Sequence, residues 1–170
     1  MKANFDKALN FVLADEGGYV HDKLDRGGET NFGISQKAYP NEDIRGMTLE
    51  RATEIYLKDY WTPIKGDDLP SGVDYVVFDS AVQHGPKNAG IFLQRALNRM
   101  RAGLITDGSI GVKTLKAIKA IDGRPLIADI LRERDIFYMK IIANDISQER
   151  FSRGWANRLA KVAVNSRDFA

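Results

Sequence analysis

The sequence predicts a mainly α-helical protein with at most a small β-hairpin near residues 18–34. Apolar residues recur at spacings of three and four along most of the chain, which is typical of amphipathic helices. The alternating pattern of half-buried strands is nearly missing. Glycine and proline interrupt the apolar segments, as expected for turns between helices. With 170 residues, of which 44% are hydrophobic and 28% charged, the chain is large enough for one well-buried core.

The individual helices follow from apolar stripes and from capping residues. The first runs from Phe5 to Asp15, because a glycine pair follows it. Thr48 is a predicted N-cap for the next long helix. We expect helices over 5–15, 49–60, 73–84, 89–100, 112–121, 126–144 and 147–162, with a shorter one over 34–39 that Pro40 ends. Phe78 and Trp155 are expected in the core, since both lie on apolar stripes.

Several classes of protein are excluded by what the sequence lacks. It has no cysteine, so disulfides, thiolate metal sites and cysteine nucleophiles are excluded. The N-terminal ten residues include Lys2, Asp6 and Lys7 and no apolar run of signal-peptide length. No stretch is apolar enough to cross a membrane. We therefore expect a protein that is made in the cytoplasm without a signal peptide and does not insert into membranes. We also expect a monomer.

The charge is unevenly spread along the chain. Residues 1–100 hold 12 Lys and Arg against 15 Asp and Glu, whereas residues 101–170 hold 13 against 8. The basic second part favours an anionic polymer as partner, although a solvated helix face also explains such a bias. The aromatic residues cluster in the acidic part, so we expect no nucleic-acid partner.

The stretch from residue 16 to residue 34 is too rich in glycine for a long helix and too polar for a core strand. It carries Glu16 where the first helix ends, Asp25 nine residues later and Thr30 five beyond that. A half-buried carboxyl at a helix C-terminus has a raised pKa, which suits a general acid. Two carboxylates across a gap with a hydroxyl beside them can cut a glycosidic bond. Alternatively, Glu16 is an exposed residue at a helix end.

Two further groups of residues admit both a binding role and a structural one. Tyr56, Tyr60 and Trp61 could form an aromatic platform for sugar rings, or they could pack in the core. Asp79 and Gln83 lie four residues apart on one helix face. They belong either to a substrate groove or to a polar patch outside it.

Metal and cofactor chemistry finds little support. His21 and His84 are the only histidines, so a His-Glu-x-x-His zinc site is excluded. A site built from both histidines with Asp22 or Asp25 is conceivable and stays open as an alternative. Phosphate-binding glycine loops and a Gly-x-Ser-x-Gly elbow are absent from the sequence. We predict no metal and no cofactor.

Four short motifs mark the first half of the chain: Glu-Gly-Gly-Tyr from residue 16, Gly-Gly-x-Thr-Asn-x-Gly-Ile from residue 27, Ile-Tyr-x-x-x-Tyr-Trp from residue 55 and Phe-Asp-x-Ala-Val-x-His-Gly from residue 78. Together with Asp25 they resemble glycoside hydrolase family 108, which comprises N-acetylmuramidases found as bacteriophage endolysins and bacterial wall-cutting proteins. Leu-Gln-Arg-Ala-Leu from residue 93, Asp-Gly-Ser-Ile-Gly from residue 107 and Thr114 resemble the peptidoglycan-binding region that usually follows.

The resemblance implies a lysozyme-like α+β fold, with a catalytic muramidase region over 1–88 and a helical peptidoglycan-binding-like region over 89–170, packed as one unit. It implies an endolysin-type enzyme that cleaves the β-1,4 bond between N-acetylmuramic acid and N-acetylglucosamine. The catalytic residues would be Glu16, Asp25 and Thr30, and the substrate contacts would be Tyr19, Asn31, Tyr56, Trp61, Asp79 and Gln83. A holin or a secretion system would bring the enzyme to periplasmic peptidoglycan.

Two alternatives to hydrolysis remain at this point. A lytic transglycosylase would use Glu16 alone and leave anhydro-sugar ends, whereas a non-catalytic wall-binding protein would release no reducing sugar.

Overall fold

The computed structural model describes residues 2–15, 20–21 and 29–169. Within these residues it contains seven α-helices and three short strands, which confirms the mainly α-helical prediction. The strands are β1 (Val20–His21), β2 (Glu29–Asn31) and β3 (Ile34–Ser35). The helices are α1 (Lys2–Asp15), α2 (Leu49–Tyr56), α3 (Val73–His84), α4 (Pro86–Arg99), α5 (Val112–Lys119), α6 (Gly123–Asn144) and α7 (Ser152–Asn165). No helix among the described residues is long and apolar enough to cross a membrane.

The three strands form one antiparallel sheet in the order β1-β2-β3. The helix predicted over residues 34–39 is wrong, because Ile34 pairs with Asn31 in the sheet. The reversal between them needs positive φ angles at both central residues, and Phe32 and Gly33 have φ of 49° and 74°. This turn folds the chain back into a strand before any helix can begin.

Helix α3 lies at the centre of the molecule and packs against α1, α4, α6 and α7. Nine consecutive residues, from Val73 to Ala81, are buried, so this helix contacts other elements on every side. Phe78 is fully buried, as predicted, and its ring packs edge-on against Phe5 and Trp61. One core therefore joins residues from both halves of the chain.

Helices α2 and α7 differ most from their predicted ranges, whereas the other predicted helix ends lie within three residues of the observed ones. Thr48 is the N-cap of α2, as predicted, and its hydroxyl accepts a hydrogen bond from the Arg51 amide at 3.2 Å. However, α2 ends at Tyr56 and continues as one wider π-helical turn. The last long helix begins only at Ser152, after a 3₁₀ segment. Trp155 is half-buried and stacks on Tyr138 with ring centroids 4.6 Å apart, so its predicted place in the core is wrong.

The Asp-Gly-Ser-Ile-Gly segment after α4 is held by one buried side chain. Gln94 donates to the Asp107 carboxylate at 2.8 Å and to the Ser109 carbonyl at 3.0 Å, and it accepts from the Gly108 amide at 2.8 Å. The helix and the loop approach so closely that a Cβ on Gly90 would overlap the Gly108 carbonyl oxygen. The glutamine and the two glycines therefore have a structural reason to be there.

This close approach predicts opposite effects for two helical glycines. Gly90→Ala should lower the free energy of unfolding by about 1 to 3 kcal/mol, because backbone must move to admit the methyl group. Gly154→Ala should raise it by about 0.5 to 1 kcal/mol, since a Cβ there meets nothing and alanine favours a helix. Urea unfolding of both variants measures the difference. A stabilised Gly90→Ala would contradict the close packing of α4 on the loop.

Candidate active site

The structure describes part of the predicted catalytic site. Glu16, Tyr19 and Asp25 lie outside the described residues, whereas Thr30 and Asn31 lie within them. Helix α1 ends at the residue before Glu16, and the next described segment is β1. The described part of the site is therefore the sheet and the residues that hold it.

Thr30 lies in the central strand of the sheet, where it pairs with Val20 on one side and Ser35 on the other. Successive side chains of a strand point to opposite faces. Asn31 is only 9% exposed, and its amide donates to the Ile44 carbonyl at 3.2 Å. The core face of β2 is therefore the face of Asn31, and the half-buried Thr30 lies on the other face. Asn31 was predicted to contact substrate, and the structure gives it an anchoring hydrogen bond.

The turn after Asn31 is fixed from outside the sheet. Phe32 has a positive φ, which is unfavourable for a residue with a side chain. The hydroxyl of Tyr56, on α2, donates to the Phe32 carbonyl at 2.9 Å. The amide of Gln36 bonds to the Glu29 carbonyl at 2.9 Å and closes the other end of the hairpin. These bonds hold the strand that carries Thr30 against α2.

The predicted aromatic platform needs correction. Trp61 and Tyr56 are each 2% exposed, so neither offers a ring face to a sugar. Trp61 packs edge-on against Phe5 with centroids 5.3 Å apart, and Tyr56 supports the hairpin turn. Both are core residues. Tyr60 is half-buried and keeps part of its surface accessible.

Tyr39 and Tyr60 lie close together near the end of β3. Tyr39 lies four residues after the last residue of β3, and its amide donates to the Ser35 carbonyl at 3.0 Å. Its hydroxyl donates to the Asp59 carboxylate at 3.0 Å. Burial raises the pKa of Tyr39, and the neighbouring Tyr60 and Asp59 raise it further. Tyr39 is therefore a neutral donor at any physiological pH. It ties the end of the sheet to the π-helical turn.

The predicted role of Asp79 in a substrate groove is also corrected. Its side chain is 1% exposed and bonds to Arg134 at 2.7 Å and to Arg158 at 2.8 Å. Arg134, on α6, is itself fully buried, and Arg158 lies on α7. Sequence reasoning missed both arginines, since only their place on apolar helix faces could have indicated burial. Gln83, one turn further along α3, is exposed, and its substrate contact stays a prediction.

His84 extends the same polar cluster. Its Nε2 atom lies 3.1 Å from the Tyr138 hydroxyl, and its ring packs edge-on against Phe92 and Phe137. Burial lowers the pKa of His84 to about 4, and the nearby Arg134 acts in the same direction. A neutral imidazole at pH 7 fits a packing role. Among the described residues, no three His, Asp or Glu side chains converge as metal ligands.

Comparisons with known proteins identify the family to which the chain belongs. The family model Glycosyl hydrolase 108 matches residues 9–85, and the model Predicted Peptidoglycan domain matches residues 88–160. A lysozyme-like helical fold with these two regions defines a peptidoglycan hydrolase. The chain belongs to glycosyl hydrolase family 108.

A solved structure supports the assignment over the whole length. The structure of Brucella abortus SagA is 33% identical, covers 99% of this chain and 97% of its own, and superposes with a TM-score of 0.83. No curated protein matches the sequence. The family and the lysozyme-like fold indicated by the sequence motifs are therefore confirmed.

The support of the hairpin predicts the effect of Tyr56→Phe. Removing the hydroxyl leaves the Phe32 carbonyl without this donor and should cost about 1 kcal/mol of stability. The strand that carries Thr30 should also become less ordered, so hydrolysis of peptidoglycan should slow by more than the loss of folded protein explains. Tyr138→Phe, which removes a hydroxyl bonded to His84, is the matched control. Equal activity of the two variants would contradict the positioning role of Tyr56.

The buried ion cluster predicts a large effect of Asp79→Ala. Without the carboxylate, the buried charge of Arg134 has no partner, so the free energy of unfolding should fall by about 3 to 5 kcal/mol. Glu54→Ala removes an exposed ion pair with Arg51 and should lower the free energy of unfolding far less, because water screens exposed charges. Guanidinium unfolding of both variants tests the contrast. A loss at Asp79 as small as that at Glu54 would show that the cluster is not needed to hold the helices together.

Proposed function

We propose that this chain is an endolysin-type N-acetylmuramidase that cleaves the β-1,4 bond between N-acetylmuramic acid and N-acetylglucosamine. The observation that carries the proposal is the family match over residues 9–85. This range contains the predicted acid Glu16, the predicted second carboxylate Asp25 and Thr30. The described part of the site adds support, because Thr30 is held on the face of the sheet away from the core.

The proposed mechanism divides the work between the two carboxyl groups. Glu16 follows the C-terminus of α1, where the helix carbonyls disfavour a negative charge and so favour the protonated acid. In this role it protonates the bridging oxygen of the glycosidic bond. Asp25, as a carboxylate, steers or activates a water molecule at the anomeric carbon. The hydroxyl of Thr30 helps to hold that water.

The stereochemical outcome depends on the space between the carboxyl groups. A separation of about 6.5 to 9.5 Å leaves room for a water molecule and inverts the anomeric carbon. A separation of about 5 to 5.5 Å allows direct attack by the carboxylate and retains the configuration.

Analysis of the product ends tests the proposal. Purified protein is incubated with peptidoglycan sacculi, and the released fragments are separated and weighed by mass spectrometry. We expect reducing N-acetylmuramic acid ends. Glu16→Gln should abolish the activity, Asp25→Asn should lower it by orders of magnitude, and Thr30→Ala should lower it less, because only the first removes the proton donor.

The controls separate loss of chemistry from loss of fold. Glu149→Gln, at an exposed position in the 3₁₀ segment before α7, makes the same chemical change and should keep full activity. Anhydro-sugar ends would instead identify a lytic transglycosylase. Binding to sacculi without any fragments would identify a wall-binding protein, and full activity of Glu16→Gln would refute the assignment of the acid.

A further inference from the structure

A groove of about 840 Å³ lies between the turn before α3, the first turns of α6 and the end of α7. Its volume is in the range of pockets that hold small ligands. Its lining includes the aliphatic residues Ile127, Leu131 and Ala163. The exposed Arg124 and Arg167 line it as well. None of the described residues that line it is aromatic, so they offer no flat surface of the kind on which sugar rings usually stack.

The groove is built on rigid elements. The turn at Gly72 lies so close that a Cβ there would touch the Ser166 carbonyl oxygen at 3.0 Å. Beyond Ser166, the Phe169 ring stacks on Tyr75 with centroids 5.0 Å apart. The side chain of Asn165 also donates to the Tyr75 hydroxyl at 3.3 Å. The segment that closes the groove is therefore fixed to the central helix, and the groove is preformed.

The charge of the groove favours an anionic ligand. Arg124 and Arg167 are exposed and form no ion pair with any residue in the described part of the chain. Asp122 is the one carboxylate among the described residues that line the groove, and its oxygen already accepts a hydrogen bond from the Arg124 amide at 3.2 Å. Two arginines and several aliphatic residues in one groove suit a ligand that carries both carboxylates and methyl groups.

We propose that this groove binds the stem peptide of peptidoglycan. This inference rests on the proposed function for its choice of polymer. Within that polymer the glycan strand offers hydroxyl and acetamido groups, whereas the peptide offers several carboxylates and the methyl groups of alanine. The peptide therefore matches the groove better than the sugars do.

The groove lies beside the N-terminal end of α1. Asn4, near the start of α1, donates to Ser71 at the rim of the groove at 2.8 Å, whereas Glu16 follows the other end of the same helix. Fourteen residues at about 1.5 Å each place the two ends about 20 Å apart. One enzyme molecule can thus hold a peptide of the wall while it cuts a glycan strand.

The test measures binding of the free tetrapeptide L-alanyl-γ-D-glutamyl-diaminopimelyl-D-alanine by calorimetry. We expect the double variant Arg124→Ala/Arg167→Ala to weaken binding at least tenfold. The matched double variant Arg95→Ala/Arg132→Ala removes two other exposed arginines and should bind as the wild type does. Ala128→Glu, which adds a negative charge on an exposed wall of the groove, should weaken binding without removing any contact of the fold.

The outcomes separate this inference from the proposed function. The tetrapeptide has no glycosidic bond, so its binding does not depend on the catalytic residues. Cleavage of peptide-free glycan chains should be unchanged in Arg124→Ala/Arg167→Ala. Unchanged tetrapeptide affinity in that variant, or an equal loss in the matched control, would overturn the groove assignment. Binding of anionic vesicles or of a DNA duplex at this groove in place of the tetrapeptide would overturn it as well.

Discussion

The structure depends on one buried cluster of charges. Asp79 lies in the middle of the central helix, and the two arginines that bond to it come from α6 and α7, 55 and 79 residues further along the chain. Such a cluster adds little net stability, because removing charges from water is costly. The cluster instead selects one packing of the helices, since any packing of α6 or α7 that separates these groups leaves an unpaired charge in the core. Three helices are thereby held in one arrangement.

That arrangement supports the site through the same helix. Phe78, next to Asp79, packs against Trp61 and Tyr56, and Tyr56 holds the turn that carries the central strand. The hairpin has few residues and could not keep its shape alone in water. Its order comes from the hydrogen bond to Phe32 and from the anchoring of Asn31. Asn31, Tyr56 and Trp61, which were predicted to contact sugar, thus stabilise the hairpin and the core that supports it.

Local signals in the sequence were sufficient for most of the helices. The Thr48 cap and the limits of α3 could be predicted because neighbouring residues determine them. The strand at Ile34 could not, since it depends on a turn with an unusual φ and on pairing with β2. The burial of Trp61 and Asp79 could not be predicted either, because their partners Phe5 and Arg134 are distant in the sequence. The motifs identified the family, whereas the spacing of residues alone could not show which side chains face a substrate groove.

Helices α3 and α4 are separated by Gly85 alone, which serves as the C-cap of one and the N-cap of the other with φ of 80°. No flexible linker therefore divides the wall-cutting half from the half that follows it. Grafting the second half onto another hydrolase would require a host that already supplies an acidic residue facing α6 and α7 and a glycine at the junction. Because the two halves also share one core, neither should fold independently of the other.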